Sequence, residues 1–180
     1  MHRHLIFVVS ILILCCCSSE IGEPNANTIS TKELLVDSNV YPDNWVKDEI
    51  RSRPQNVDVE NIHVTFRYES NINIVSVHAI ARYNSVEEAK IDYNKEIRIE
   101  YTDSIDESLA LSIRSSSIAD DFSTVCGKVF VNNMIMCVST ARYKNYVSTF
   151  STYIWRDVMN ISDYNRIIVS IDNSMKKLVL

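Results

Sequence analysis

The stretch of sequence that decides the fold is residues 61–83, which read NIHVTFRYESNINIVSVHAIARY. Along residues 61–69 apolar and polar side chains alternate, and this period of two predicts a strand with one buried face. The inward positions of this strand are Ile62, Val64, Phe66 and Tyr68. A turn at residues 70–73 leads into a second run over residues 74–83, so the two runs predict an antiparallel hairpin. The inward positions expected for the second strand are Val75, Val77, Ala79 and Ala81.

Helices are predicted on either side of this hairpin. Ser30 stands three residues before Glu33, which is the spacing of a capping box at the start of a short helix. Ser85 has the same relation to Glu88, and the apolar spacing that follows predicts a helix over roughly residues 85–101. Near the C-terminus, Ser162 is expected to cap a final helix. The apolar positions of that helix are Tyr164, Ile167, Ile168, Ile171, Met175 and Leu178.

The remaining strands complete the predicted sheet. Residues 122–131 and 134–143 predict a second hairpin, and residues 146–154 form a further run rich in Thr, Tyr, Phe and Val. Helices and hairpins thus alternate along the chain. This order predicts an α+β fold, with an antiparallel β-sheet of about five strands and helices packed on one face.

The N-terminus has the pattern of an export signal. Residues 1–4 are a short cationic start, and the apolar run over residues 5–14 is too short to cross a hydrocarbon core about 30 Å thick. We predict a signal peptide over residues 1–17, a flexible tether over residues 18–29 and a single α+β domain over residues 30–180. The expected location is the cell membrane or cell envelope, facing outside the cytoplasm.

Three consecutive cysteines, Cys15, Cys16 and Cys17, close the signal. They look like the lipobox of bacterial lipoproteins, in which a cysteine soon after a leucine is acylated with chains such as palmitate. Cys17 fits best because Leu14 precedes it by three residues, and Cys16 is the second choice. Cys16 stands where a lipobox has Gly, Ala or Ser. Several acyl chains would anchor the protein stably to a membrane. The alternative is secretion after cleavage near Ser18.

Cys126 and Cys137 lie on the two strands of the second predicted hairpin. If the hairpin turns midway between them, the two residues face each other, with Cβ atoms about 4.5–5.5 Å apart. An exported protein meets an oxidising environment, so we predict a disulfide between them. Their spacing is neither that of a C-x-x-C redox motif nor that of a zinc site.

His63 and His78 are the histidines that follow the signal, and both are expected at outward positions of the first hairpin. If they face each other across the strands, they would hold a metal only weakly, with Glu69 or Asp92 as distant third ligands. Functional metal sites use three or four placed ligands, so surface histidines without a metal are the expected state.

Carboxylates cluster at residues 103–107 and at Asp120-Asp121, and both clusters are interpreted as solvated loops. The run Ser115-Ser116-Ser117 has no catalytic-serine motif around it and is also interpreted as a loop. A hydrolase that uses these carboxylates, or a weak metal site at His63 and His78, is kept as the alternative function.

Composition excludes several classes of function. The formal net charge is -5, without a basic run, so we expect no nucleic-acid partner. The only glycines are Gly22 and Gly127, whereas loops that cradle phosphates need several. No cofactor is therefore expected.

Short motifs are shared with small bacterial lipoproteins of unassigned function. The motifs are Leu34-Leu35, Tyr41-Pro42-Asp43-Asn44-Trp45, Ser85 to Ala89, Cys126 with Cys137, Ala141-Arg142-Tyr143 and the helix over residues 162–178. The chain resembles these proteins over most of its length after the signal. The resemblance implies an extracytoplasmic α+β module and supplies no catalytic residues. A more distant similarity is to extracellular sensor domains of membrane-bound bacterial kinases.

The leading hypothesis is therefore a membrane-anchored extracytoplasmic lipoprotein that acts as a non-catalytic binding module. Its attachment to the membrane is through the N-terminal lipid, and its partner is a protein or a small molecule. The nine tyrosines would suit an exposed binding face. Besides the hydrolase, a structural component of the envelope is the third hypothesis.

Overall fold

The computed structural model describes residues 29–52, 60–96, 112–128, 134–155 and 157–179. Six antiparallel strands form one sheet in the order β1-β2-β3-β6-β5-β4. The strands are β1 (Trp45–Ser52), β2 (Glu60–Tyr68), β3 (Asn71–Arg82), β4 (Asp121–Lys128), β5 (Ile135–Tyr143) and β6 (Tyr146–Ile154). The predicted α+β class with an antiparallel sheet is confirmed, with six strands where about five were expected.

Among the residues that the structure describes, two short 3-10 helices and two α-helices accompany the sheet. The 3-10 helices are Thr31–Leu34 and Ser38–Val40, and the α-helices are α1 (Val86–Glu96) and α2 (Ile161–Val179). Ser30 caps the first 3-10 helix by accepting a hydrogen bond from the backbone N–H of Lys32. In the described part of the chain, no helix has the length and apolar character needed to cross a bilayer.

α2 packs on the face of the sheet that we call the inner face. The ring of Tyr164 on α2 lies 4.9 Å from that of Phe150 on β6, measured between centroids. The 3-10 helices cover the same face near β2 and β3, where Leu34 and Val36 are fully buried. Trp45 is also buried there, and its Nε1 donates a hydrogen bond of 3.0 Å to the carbonyl of Val158.

α1 packs on the opposite face, whereas the sequence predicted all helices on one face. Its buried residues Ala89 and Tyr93 form a small separate cluster with Val147 of β6. Val147 is directly opposite Arg142 on β5, and both side chains point away from α2. The apolar stripe of α1 is short, so α1 covers only the end of the sheet where β6 begins.

The capping interactions set the helix starts. At α1 the backbone N–H of Glu88 donates to the Ser85 hydroxyl, as the capping box predicted, while a Glu88 oxygen accepts from the N–H of Asn84 and not from that of Ser85. At α2 the cap is Asn160, not the predicted Ser162. The side chains of Asn160 and Asp163 each accept a hydrogen bond from the other's backbone N–H, so the helix begins at Ile161.

The predicted inward set of β3 is wrong. The buried residues of this strand are Ile74, Ser76, His78, Ile80 and Ala81, and the first four lie on the inner face. Val64, a correctly predicted inward residue of β2, pairs directly with His78, and Thr65 pairs with Val77. The valines therefore lie on the face opposite α2, and polar side chains occupy the core.

Candidate functional site

His78 lies in the centre of the core, fully buried between β6 and the segment after the first 3-10 helix. Its Nδ1 accepts a hydrogen bond of 3.0 Å from the backbone N–H of Val36, and its Nε2 lies 2.9 Å from the Ser148 hydroxyl. Burial lowers the pKa of His78 to about 3, so the ring is neutral at physiological pH. Because Nδ1 is an acceptor, the single ring proton is on Nε2 and is donated to Ser148.

The position of this ring proton decides whether the His78–Ser148 pair can perform catalysis. A histidine that activates a serine must accept the hydroxyl proton on a free lone pair. Here Nε2 carries the proton and Nδ1 is engaged by a backbone amide. The pair is therefore a structural hydrogen bond between β3 and β6, while the bond from Val36 fastens the N-terminal segment to the sheet.

Two further pairs of polar groups on the inner face are satisfied in the same way. The Tyr41 hydroxyl is 2.9 Å from that of Ser76, and burial raises the pKa of Tyr41. The Ser139 hydroxyl lies 2.8 Å from that of Tyr164. These bonds join strands to the elements packed on them, so they hold the fold.

Asp172 of α2 holds the segment that precedes β4. Its carboxylate accepts hydrogen bonds from the hydroxyls of Tyr143 and Ser116, at 2.8 and 2.6 Å, and from the backbone N–H of Ser117 at 3.0 Å. The serine run that the sequence predicted as a loop is thus a loop anchored to a helix. A charged acceptor with several donors is a strong anchor.

The expectation that His63 and His78 both lie at outward positions, where they could face each other, is wrong for His78. His63 pairs directly with Ala79, and His78 with Val64, so the two imidazoles lie on opposite faces of the sheet. The error arose because the inward and outward faces predicted for β3 are exchanged in the structure. No group of three His, Cys, Asp or Glu residues in the described segments is placed to hold a metal.

The carboxylates considered for acid–base chemistry have other partners or fall outside the described residues. Asp120 and Asp121 form ion pairs with Arg142, at 3.1 and 2.6 Å. Asp92, one of the distant third ligands, accepts a hydrogen bond from the Tyr83 hydroxyl. The cluster at residues 103–107 lies outside the described residues.

The face of the sheet opposite α2 offers a different kind of surface, which we call the open face. One row of directly opposed side chains crosses five strands, and a second row lies beside it. The first row is Thr65, Val77, Ser151, Val138 and Val125, and the second includes Val75, Tyr153 and Met136. All eight side chains are half-buried. None of them carries a charge.

Charges stand at the margins of the open face. Arg67 of β2 forms an ion pair with Asp48 on the edge strand β1. At the end covered by α1, the buried Arg142 is neutralised by Asp120 and Asp121. The middle of the open face is thus a neutral surface of valines, hydroxyls and one tyrosine.

The tyrosines do not form the exposed patch that the sequence suggested. Most of those in the described residues are buried, namely Tyr41, Tyr93, Tyr143, Tyr146 and Tyr164. Tyr153 is half-buried and belongs to the open face. The open face was missed because its valines were taken as core residues. Ser76 and His78 alternate with those valines, and the period of two assigned these polar residues to solvent.

Cys126 and Cys137 are directly opposite on β4 and β5 and form the disulfide that their spacing predicted, with an S–S distance of 2.04 Å. Both residues are fully buried on the inner face. The pair ties the edge strand β4 to the rest of the sheet. The lipidation candidates Cys17 and Cys16 lie outside the described residues.

Comparisons with known proteins bear on the fold. No protein family model matches the sequence, and no curated protein matches it. Among solved structures, the chain is similar to the extracellular domain of PknH from Mycobacterium tuberculosis, with a TM-score of 0.55 and 8% sequence identity. The match covers 82% of this chain and 94% of that one. At this identity the likeness establishes a shared fold, and that fold is found in an extracellular domain.

Proposed function

We propose that this protein is an exported lipoprotein, anchored through a lipid on Cys17, whose folded domain is a non-catalytic binding module. The export pattern of residues 1–17 and the cysteines that close it support the anchor. The fold shared with an extracellular domain supports a place outside the cytoplasm. Cys16 is the second choice for the lipid.

The open face is the proposed binding surface, and the observation that carries this proposal is its uncharged row across five strands. A charged ligand would lose its hydration there without gaining an ion pair. Val77, Val138 and Val125 offer apolar contact, while the hydroxyls of Thr65 and Ser151 offer hydrogen bonds in the same row. Sites of this mixed character bind uncharged amphiphilic small molecules.

The hydrolase alternative receives no support from this geometry. It required His63 and His78 to converge, and they point to opposite faces. The His78–Ser148 pair has its proton on the wrong atom for general-base activation of the serine. Binding without chemistry is therefore the function that the arrangement of the side chains favours.

Nile red, an uncharged amphiphile whose fluorescence rises in apolar surroundings, is a suitable probe. We expect saturable binding to the protein and a loss of at least about tenfold in affinity in Ser151→Arg, because a desolvated guanidinium costs more than about 1.4 kcal/mol. Thr65→Arg, at the end of the same row, should give a smaller loss. Ser70→Arg is the matched control, since Ser70 is exposed in the turn between β2 and β3.

Thermal unfolding of each variant shows whether the fold is kept. A Ser151→Arg protein that unfolds like the Ser70→Arg control yet binds Nile red as the wild type does would contradict the open face as the binding surface. Absence of saturable binding by the wild type would contradict an uncharged amphiphile as the ligand class.

A further inference from the structure

The two edges of the sheet differ in how they are protected. Edge strands with free backbone groups are templates for pairing with another strand, and proteins protect them with charges, bulges or proline. β1 has this protection: its ladder with β2 is interrupted between Lys47 and Ile50, and four of its residues are charged. β4 has no bulge and no proline, and its only charged residues are the first and the last, Asp121 and Lys128. Its eight residues pair with β5 in unbroken register.

The register shows which backbone groups of β4 point outward. The Cα atoms of Cys126 and Cys137 are 4.1 Å apart, which marks a non-hydrogen-bonded pair of an antiparallel ladder. In such a pair the N–H and C=O groups point away from the neighbouring strand. Phe122, Thr124 and Cys126 therefore direct their backbone groups to the open edge. No described residue is hydrogen-bonded to those groups.

We propose that β4 pairs antiparallel with β4 of a second copy of this chain, with the twofold axis at Thr124. Thr124 is then opposite Thr124 of the second copy, and Phe122 is opposite Cys126 of the second copy. The three outward-pointing residues of each strand exchange about six backbone hydrogen bonds. The two sheets become one continuous sheet.

Charge selects this register over its neighbours. Residues opposite each other must both point their backbone groups at the partner strand, so the register can shift only in steps that keep this parity. Asp120 precedes the strand and its backbone N–H is bonded to the Arg142 carbonyl of β5, so it is not itself a position of the new ladder. Centring on Thr124 nevertheless brings its exposed carboxylate near Lys128 of the second copy, twice by symmetry. Lys128 is exposed and forms no ion pair within the described chain. Centring on Val125 would instead place Phe122 opposite Lys128.

The twofold axis is perpendicular to the sheet, so the open faces of the two copies lie on the same side. Pairing through β4 does not involve the open-face residues in the centre of the sheet. The inference is thus independent of the proposed ligand, and each can fail without the other.

Sedimentation velocity tests the pairing. The sample is the exported, membrane-extracted protein, solubilised in a non-ionic detergent. The wild type should show a concentration-dependent monomer–dimer equilibrium. Thr124→Pro should be monomeric, because proline removes an N–H that points outward and no hydrogen bond of the β4–β5 ladder. Thr124→Ala is the matched control. It loses the same hydroxyl contact with Ser139, 2.7 Å long, but keeps the N–H, so it should dimerise.

Lys128→Glu tests the register. It sets two carboxylates against each other at both ends of the pairing, and we expect the dimer affinity to fall by about tenfold or more. Lys128→Gln should fall between the wild type and Lys128→Glu. A wild type that is monomeric at all concentrations, or a Thr124→Pro protein that dimerises like Thr124→Ala, would overturn the proposal. An affinity unchanged in Lys128→Glu would overturn the Thr124-centred register.

Discussion

His78 is a histidine that the fold keeps neutral, and its role depends on two partners far away in sequence. The N–H of Val36 and the hydroxyl of Ser148 satisfy its two ring nitrogens. Burying a polar group without such partners would cost free energy, so the three residues stabilise one another as a set. The set connects the N-terminal segment, β3 and β6 through a single side chain.

The buried His78 should make stability depend on pH. In the unfolded chain its pKa is near 6.5, while in the folded protein it is about 3. Between these values the unfolded state binds a proton that the native state does not. The free energy of unfolding should therefore fall by about 1.4 kcal/mol per pH unit on going from pH 6.5 toward pH 3.

Chemical denaturation at a series of pH values measures this dependence. His78→Asn should show a shallower dependence than the wild type by that amount, whatever its stability at neutral pH. His63→Asn, on the opposite face, leaves His78 intact and should retain the steep contribution. If the free energy of unfolding changed with pH in the same way for the wild type and His78→Asn, a neutral buried imidazole would be refuted.

The residues of the core that the sequence did not predict share one physical cause. Ser76 and His78 are polar, and a period-two pattern assigns such residues to solvent. Their burial depends on hydrogen bonds to Tyr41, Val36 and Ser148, which only the folded chain brings near. The inward residues of β2 were predictable because that strand is apolar on one side only.

At the scale of elements, the ends of β6 follow directly from the sequence, since Tyr146–Ile154 coincides with the predicted run. β1 was missed because charged residues fill Trp45–Ser52 and no alternation is visible. An edge strand buries little of its surface, so its sequence carries a weak signal of its structure. The open face could not be predicted for a related reason, because it depends on which of two apolar sets α2 covers.

The disulfide between Cys126 and Cys137 should stabilise the edge strand β4. A loop of this length, with a sequence separation of 11, restricts the unfolded chain by about 3 kcal/mol. The double variant Cys126→Ala/Cys137→Ala should lose stability of that order in urea denaturation. Its β4 amides should also exchange hydrogen faster than those of β3.

Reduction of the wild type supplies the control for that variant. The reduced protein should unfold at nearly the same urea concentration as the double alanine variant, because both lack the cross-link. Equal unfolding midpoints for the oxidised wild type and the double variant would show that the bond contributes nothing to stability.

At the scale of the whole molecule, the first residues of the folded domain lie at one end of the sheet. The Tyr146 hydroxyl, at the start of β6, donates a hydrogen bond of 3.2 Å to the carbonyl of Ile29. Thr31 contacts Glu60 at the start of β2, with a distance of 2.8 Å between their side-chain oxygens. In the proposed lipoprotein, the tether would therefore hold the domain by this end and leave the open face of the sheet accessible from the side.

The central claim is that the protein is a lipid-anchored extracytoplasmic binding module, and the anchor is its most direct test. The measurement is mass spectrometry of the N-terminal peptide of the protein extracted from membranes. Our account predicts a peptide that begins at Cys17 and carries acyl chains. Cys17→Ser should abolish the modification, and Cys16→Ser should retain it. An unmodified N-terminus near Ser18, in protein found outside the membrane fraction, would contradict the account.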